Sequence, residues 1–409
     1  MDLGITRPAA DVLTGALFSL TEKDGWSRPS RFTPEQLRAL GSCRAWHPGL
    51  FRQMAACSAG IALEFETDAT RVALEVRVDP TPAGTASVLA AVRRVGQMEP
   101  PFDGISIEVD GTRMGLVSTP GTDGLIEFSL DSATAPEPGL QRLPGMGEPH
   151  RVRVWLPCLS GCAVRSLTSD GTYLEPVPAK GELLVLGDSI AQGFVTADPA
   201  LSWAARVAEA RKLTLVNQGV GGQVFQPGTL VGLAEATRPE AIVVEFGENY
   251  RFEPCQAARV EHDIRTYLYE LSEAFGEVST WVITPMPYLS DIYHTHPKSC
   301  YAHVADLIAT HAAAHPQMRM VDGFSLLDAE RLPDLIADGS DHPNPAGQAL
   351  IAERLLDAMD GHKKRRPAAE SESAEPADAE KDRPSKAAPA RKPAKAAAAL
   401  TGAPQLRLV

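Results

Sequence analysis

At Lys180 the hydrophobic rhythm of this chain changes. Downstream, short and nearly all-apolar runs ("ELLVLG", "LTLVNQG", "AIVVEFG", "STWVITP" and "MRMVDG") alternate with stretches of helical periodicity. Those helices read as "SWAARVAEARK", "ARVEHDIRTYLYELSEAF", "SCYAHVADLIATHAAAH" and "NPAGQALIAERLLDAM". A strand with no polar face must be covered on both sides. Such runs separated by helices therefore predict a parallel sheet between two helical layers. Ligands of sheets of this kind bind in the loops that follow the strands.

Upstream of Lys180 the pattern is different. "IALEFETDATRVALEVRV" alternates with period two, with Ile61, Leu63 and Phe65 on one face and Val72, Leu74, Val76 and Val78 repeating the pattern. "ISIEVDGTRMGLV" reads as a hairpin turning at Asp110-Gly111, and "IEFSL" and "RVRVWLP" add strands. Several short strands between Gly/Pro turns predict an all-β sandwich or jelly roll. The expected organisation is a lead with a short helix over residues 1–32, the sandwich over 33–178, an α/β domain over 180–361, and a tail over 362–409. The tail is Ala, Pro, Lys and Glu with few large apolar residues. It cannot bury enough surface to offset its conformational entropy, so disorder is expected there.

The net charge of −13 is unevenly placed. Residues 361–409 carry 11 Lys/Arg against 6 Asp/Glu, leaving 28 against 46 in the rest. An acidic body argues against a nucleic-acid partner. No apolar run approaches the ~20 residues needed to cross a bilayer, so no membrane insertion is expected. The first residues hold no basic stretch before an apolar run, so no secretory signal is read and a cytoplasmic location is expected. Cysteines 43, 57, 158, 162, 255 and 300 fit no disulfide framework and no zinc spacing, and are expected to be reduced and mostly buried. No metal and no cofactor is expected.

Four loops after predicted strands carry chemistry-bearing residues. They are Gly187-Asp188-Ser189-Ile190, "NQGVGGQ" from Asn217, "FGENY" from Phe246, and "ADGSDHPNPAG" from Ala337. A lone turn serine is ordinary. A serine, a glycine N–H, an asparagine amide and an acid with a histidine, in four such loops, are what acyl transfer through a serine needs. The four blocks in this order resemble the SGNH hydrolases, also called GDSL esterases. The resemblance covers about Lys180 to Gly361, and the sandwich in front resembles two-domain members of that superfamily. It implies a three-layer, flavodoxin-like α/β/α domain.

The resemblance assigns roles. Ser189 is the nucleophile and His342 the base. The N–H groups of Ser189 and Gly222 and the side-chain amide of Asn249 form the oxyanion hole. The sequence departs from the family twice. The last block usually reads Asp-x-x-His, but Gly339 stands three residues before His342, with aspartates at 338 and 341. Asp338 is preferred as the orienting acid and Asp341 is the alternative. The third block ends in Tyr250 where the family has aspartate. Asp188 is expected to be a structural acceptor. Met286 and Tyr288 are expected to line the substrate pocket. His294 and His296 are read as cleft wall or surface.

The implied activity is hydrolysis of a carboxylic ester with a small acyl group, on a carbohydrate or natural product. Two alternatives stand beside it. An acyltransferase would use the same triad on an acceptor alcohol. A carbohydrate-binding protein would carry an inactive hydrolase domain.

Overall fold

The computed structural model describes residues 4–42, 49–117, 123–130, 149–251, 256–290 and 301–361, so the tail expected to be disordered lies outside the described residues. The strands of the N-terminal part are β1 (Ile5–Pro8), β2 (Leu13–Thr14), β3 (Phe18–Thr21), β4 (Ser27–Ser30), β5 (Ala62–Thr67), β6 (Arg71–Val78), β7 (Ile105–Val109), β8 (Thr112–Val117), β9 (Asp123–Ser129), β10 (His150–Trp155), β11 (Cys162–Ser169) and β12 (Leu174–Pro176). They form two antiparallel sheets. One runs β3-β4-β11-β6-β9 with β1 also on β11, and the other runs β12-β5-β10-β7-β8 with β2 also on β5. Leu63 and Phe65 of β5 and Val152 and Val154 of β10 meet Val72, Leu74 and Val76 of β6 in one core. The predicted alternation is therefore the inward face of a sandwich. Asp110 and Gly111 turn the β7–β8 hairpin with φ of 51° and 76°, the backbone that Asp-Gly supplies to a two-residue turn.

Two features differ from expectation. Residues 5–30 are not a lead but contribute β1 to β4, which pair within both sheets. These strands are two to four residues long. Every residue of β3 is exposed, and β4 contains Pro29, so neither alternation nor composition marks them. The sandwich region also holds three helices, α1 (Pro34–Ser42), α2 (Leu50–Ala55) and α3 (Ala83–Val95). They lie against the α/β part. Leu40, Phe51 and Met54 pack with Phe194 and Val220, while Val92 packs with Val195 and Ala337.

The parallel sheet follows the sequence reading. Its strands are β13 (Glu182–Gly187), β14 (Thr214–Gly219), β15 (Pro239–Glu245), β16 (Thr280–Ile283) and β17 (Met318–Val321), in the order β14-β13-β15-β16-β17. The helices are α4 (Ser189–Gln192), α5 (Trp203–Arg211), α6 (Leu233–Ala236), α7 (Ala257–Ala274), α8 (Val304–Ala312), α9 (Leu332–Leu335) and α10 (Pro345–Met359). Leu183 and Val185 of β13 pack under α5 and α10, through Trp203, Val207, Ile351 and Leu355. Leu184 and Leu186 pack under α7 and α8, through Ile264, Leu268 and Ile308. Both faces are dry, which is why the strands carry no polar alternation. The strand order reverses at β13, so its carboxyl end is the switch point where such sheets bind ligands. Among the described residues no helix is long and apolar enough to cross a membrane.

Candidate active site

β13 delivers Ser189 to that switch point. Gly187 is required there, because a Cβ would lie 2.4 Å from the Ala191 Cβ and 2.7 Å from the Glu245 carbonyl oxygen. Asp188 then caps α4, its Oδ1 accepting from the Ile190 N–H at 3.0 Å. The cap sets Ser189 in the first turn, as a capping aspartate does. The expected structural role of Asp188 fits this geometry.

The histidine comes from the loop before α10. His342 Nε2 lies 3.0 Å from Ser189 Oγ, and its Nδ1 lies 2.6 Å from Asp338 Oδ2. The other oxygen of Asp338 accepts from the backbone N–H groups of Ser340, Asp341 and His342 at 2.9, 3.2 and 3.3 Å. One carboxylate thus folds its own loop and holds the imidazole. The extra residue relative to Asp-x-x-His is absorbed at Gly339, whose φ of +76° reverses the chain. Asp341 also approaches Nδ1, at 3.2 Å, and its other oxygen pairs with Arg251. Both aspartates weighed from sequence therefore contact the ring, Asp338 more closely. Phe194 stacks on the imidazole with centroids 5.3 Å apart.

Charge in this site is strongly perturbed. Burial alone would depress His342, but Asp338 and Asp341 more than offset it and push the imidazole up to about 9. Burial would raise Asp338, but the facing imidazole and the loop N–H groups hold it down to about 2. Ser189 and His342 are 9% and 8% exposed, so little water screens these interactions.

Gly222 sits in the loop after β14 with φ of +84°. Among the described residues no acceptor takes its N–H. The Nδ2 of Asn249 donates to Asp188 Oδ2 at 2.9 Å and to the Gln223 carbonyl at 3.0 Å, so it ties the first three loops together.

Four side chains of this region were not read from the sequence. Glu248 is buried, and its carboxylate accepts from the Met286 N–H and, at 3.0 Å, from the Tyr301 hydroxyl. Burial pushes Glu248 up to about 8, Asp188 up to about 7, and Glu245 well above the usual carboxylate range. The Arg251 guanidinium is buried over the Tyr288 ring, 4.4 Å from its centroid. The signal available for Glu245, Glu248 and Arg251 was the run "EFGENYR", which places charged groups at the end of an apolar strand and in the loop that follows it. Phe194, the fourth, carried no signal. Met286 does not line a pocket as expected, since it is 2% exposed in the core beneath β16. Tyr288 serves as the platform for Arg251. His294 and His296 lie outside the described residues.

Asp338, Asp341 and His342 also bring three ligand atoms within 4.8 Å of one another. Each is engaged already, the carboxylates with Nδ1 and Arg251 and the imidazole with Ser189. Cys57, Cys158 and Cys162 are free and buried, as expected; cysteines 43, 255 and 300 lie outside the described residues.

Comparison with known proteins agrees with this geometry. Residues 185–350 match the GDSL-like lipase/acylhydrolase family. No curated protein sequence matches the chain. Among solved structures, a salicylyl-acyltransferase from a tetracycline biosynthetic pathway superposes with a TM-score of 0.67 at 18% identity, covering 87% of this chain and 97% of the other. A GDSL-like lipase candidate from Bacteroides ovatus ATCC 8483 gives 0.62 at 16% identity, with the same coverage of 87% and 97%. A family two carbohydrate esterase from Cellvibrio japonicus gives 0.53 at 13% identity, again covering 87% and 97%. At these identities the likeness is one of fold, and it extends over the sandwich as well as the α/β part. The Gly-Asp-Ser that ends the apolar strand, and the histidine on that serine, both lie within residues 185–350, the part of the chain that matches the GDSL-like lipase/acylhydrolase family.

Proposed function

We propose that this protein is a serine esterase that removes a small acyl group from a carbohydrate or natural-product alcohol through an acyl-enzyme on Ser189. The observation that carries the reading is the continuous hydrogen-bonded line from Ser189 Oγ through His342 to Asp338. His342 takes the serine proton as Oγ attacks the ester carbonyl, and Asp338 stabilises the imidazolium that forms. The developing oxyanion accepts from the N–H groups of Ser189 and Gly222. Asn249 joins by exchanging its bond to the neutral Gln223 carbonyl for one to the anion, since charge-assisted hydrogen bonds are about twice as strong. His342 then returns the proton to the leaving alcohol, and water repeats the sequence on the acyl-enzyme. The intact triad weighs against a binding protein with an inactive hydrolase domain.

A second reading is acyl transfer to an acceptor alcohol. The low exposure of Ser189 and His342 favours it, because a secluded acyl-enzyme survives long enough to meet an alcohol. The salicylyl-acyltransferase and the carbohydrate esterase, both with this two-part layout, stand for the two outcomes.

The test is intact-protein mass spectrometry after mixing with activated esters and acyl thioesters, beside fluorophosphonate labelling. Wild type is expected to gain one acyl or phosphonyl group and Ser189→Ala none. Equal labelling of both would remove Ser189 as nucleophile. Adding candidate alcohols to the acyl-enzyme then separates hydrolysis from transfer.

A further inference from the structure

The loop that carries Gly222 is held by groups that lie far away in the chain. Arg31, at the end of β4, is completely buried. Its Nη1 donates to the carbonyls of Asn217 and Gly219 at 2.8 and 2.7 Å, and its Nε and Nη2 donate to the carbonyls of Cys57 and Met54 at 2.8 and 2.9 Å. One planar guanidinium thus rivets the carboxyl end of β14 to the sandwich region. Gln36 adds a second tie, its Nε2 lying 2.9 Å from Gln218 Oε1, while Gln218 Nε2 donates to the Arg31 carbonyl at 2.8 Å. A third runs through Gln192, which donates to the Cys158 carbonyl at 3.0 Å and accepts from the Gly221 N–H at 2.9 Å. Cys158 is itself fixed by Asp103, whose carboxylate takes its N–H at 2.9 Å. Three ties from the N-terminal region, two of which share Arg31, therefore converge on residues 217–221.

We propose that the sandwich region is a working part of the oxyanion hole, with Arg31 as the positioning residue that sets the Gly222 N–H. An oxyanion donor acts only when it is already in place as charge develops, so a small displacement of this loop costs turnover rather than binding. The residue type fits the task. A guanidinium presents its donors in a rigid fork and spans four carbonyls, whereas an ammonium concentrates three donors at one point. Burying a cation with no carboxylate partner among the described residues is expensive, which is a reason to expect a positional return.

The inference rests on the esterase reading. The full chain is compared as wild type, Arg31→Lys, Arg31→Met, Gln36→Leu and Ser189→Ala, by turnover of 4-nitrophenyl acetate, by fluorophosphonate inactivation rate, by pH profile and by thermal melting. Arg31→Lys is expected to fold and to lower kcat about tenfold or more, with KM within about twofold. The inactivation rate falls in parallel, because the phosphonyl oxygen uses the same donors, and the His342 limb of the pH profile stays where it is. Arg31→Met deepens the loss, and Gln36→Leu shows the same kcat pattern more weakly. Where Arg31→Met fails to fold, Arg31→Lys and Gln36→Leu decide. Wild-type kcat in both folded variants, a loss confined to KM, or a moved pH limb would overturn the proposal. Activity surviving in Ser189→Ala would instead overturn the esterase reading and this inference with it. An inactive Ser189→Ala beside a fully active Arg31→Lys overturns the inference alone.

Discussion

Two loops flank Ser189, and they are kept in shape in opposite ways. The base loop, from Ala337 to His342, is organised from within. Asp338 accepts three of its N–H groups and the imidazole, and Gly339 provides the reversal. The oxyanion loop, from Asn217 to Gln223, depends on α4 and on residues more than a hundred positions upstream. A loop built mainly on its own carboxylate is disabled chiefly from inside, although Arg251, Leu289 and Ser290 also bind it. A suspended loop can be disabled from anywhere along its supports.

The largest effect should come from inside the base loop. Asp338→Asn is expected to lower turnover by about 10⁴, as removal of the orienting carboxylate can, while Asp341→Asn leaves the plateau rate near wild type. Steady-state kinetics on a small aryl ester, with folding checked by circular dichroism, measures both. The reverse order would make Asp341 the working acid. Asn249→Ala should cost about 10²–10³ in kcat if its amide turns to the oxyanion. A loss that appears as a lower melting temperature with kcat retained would leave it as a tie between loops.

The next effect is remote. Gly60, with φ of +78°, approaches β14 so closely that a Cβ would lie 2.6 Å from the Asn217 Cβ. Gly60→Ala should destabilise by about 1–3 kcal/mol, through left-handed strain and overpacking, and lower kcat more than it raises KM. Thermal melts and kinetics test this, and an unchanged kcat would argue that the oxyanion loop is stiffer than its supports suggest.

A smaller effect concerns pH. His342 must be neutral to act as base, so activity is present above its pKa and lost as pH falls through it. Raised to about 9, that pKa places the rising limb of kcat/KM above neutrality. Asp341→Asn removes a raising charge and should move the limb to lower pH. Arg251→Met releases the Asp341 charge toward the ring and should move it higher. Immobile limbs would mean that Asp341 is electrically silent at the imidazole. The smallest effect expected is none: removing residues 362–409 should leave turnover unchanged, because an Ala/Pro/Lys/Glu composition cannot bury enough surface to build a core.

The same contrast explains what could be read from sequence. The parallel strands announced themselves because both faces are buried, as Leu183 to Leu186 illustrate. Ser189 and His342 stood in loops whose residue types have few other reasons to occur together. Asp338 was reachable because it lies four residues from His342, although the irregular spacing left Asp341 open. Arg31 was not reachable, since nothing in "SRPSRF" says that one arginine will reach carbonyls at 217 and 219. β1, β2 and β4 were hidden for a related reason: strands of two to four residues take their conformation from partners distant in the chain, and β3 is a short exposed edge on β4. Local self-sufficiency is readable, and support borrowed across the fold is not.

Gly339 has a consequence for how such enzymes are compared. A chain reversal at one residue lets the carboxylate and the imidazole meet across three intervening residues, where the family's usual pattern has two. What the proton transfer demands is a reach of 2.6 Å between Oδ2 and Nδ1, and the length of peptide that spans it is free to vary wherever a left-handed residue can take up the slack. Replacing Gly339 with a β-branched residue would therefore test whether the left-handed backbone is what takes up the slack, without touching a reacting atom. Signatures written as fixed gaps between letters will pass over relatives built this way, whereas a search for the closed ring of hydrogen bonds around the imidazole would find them.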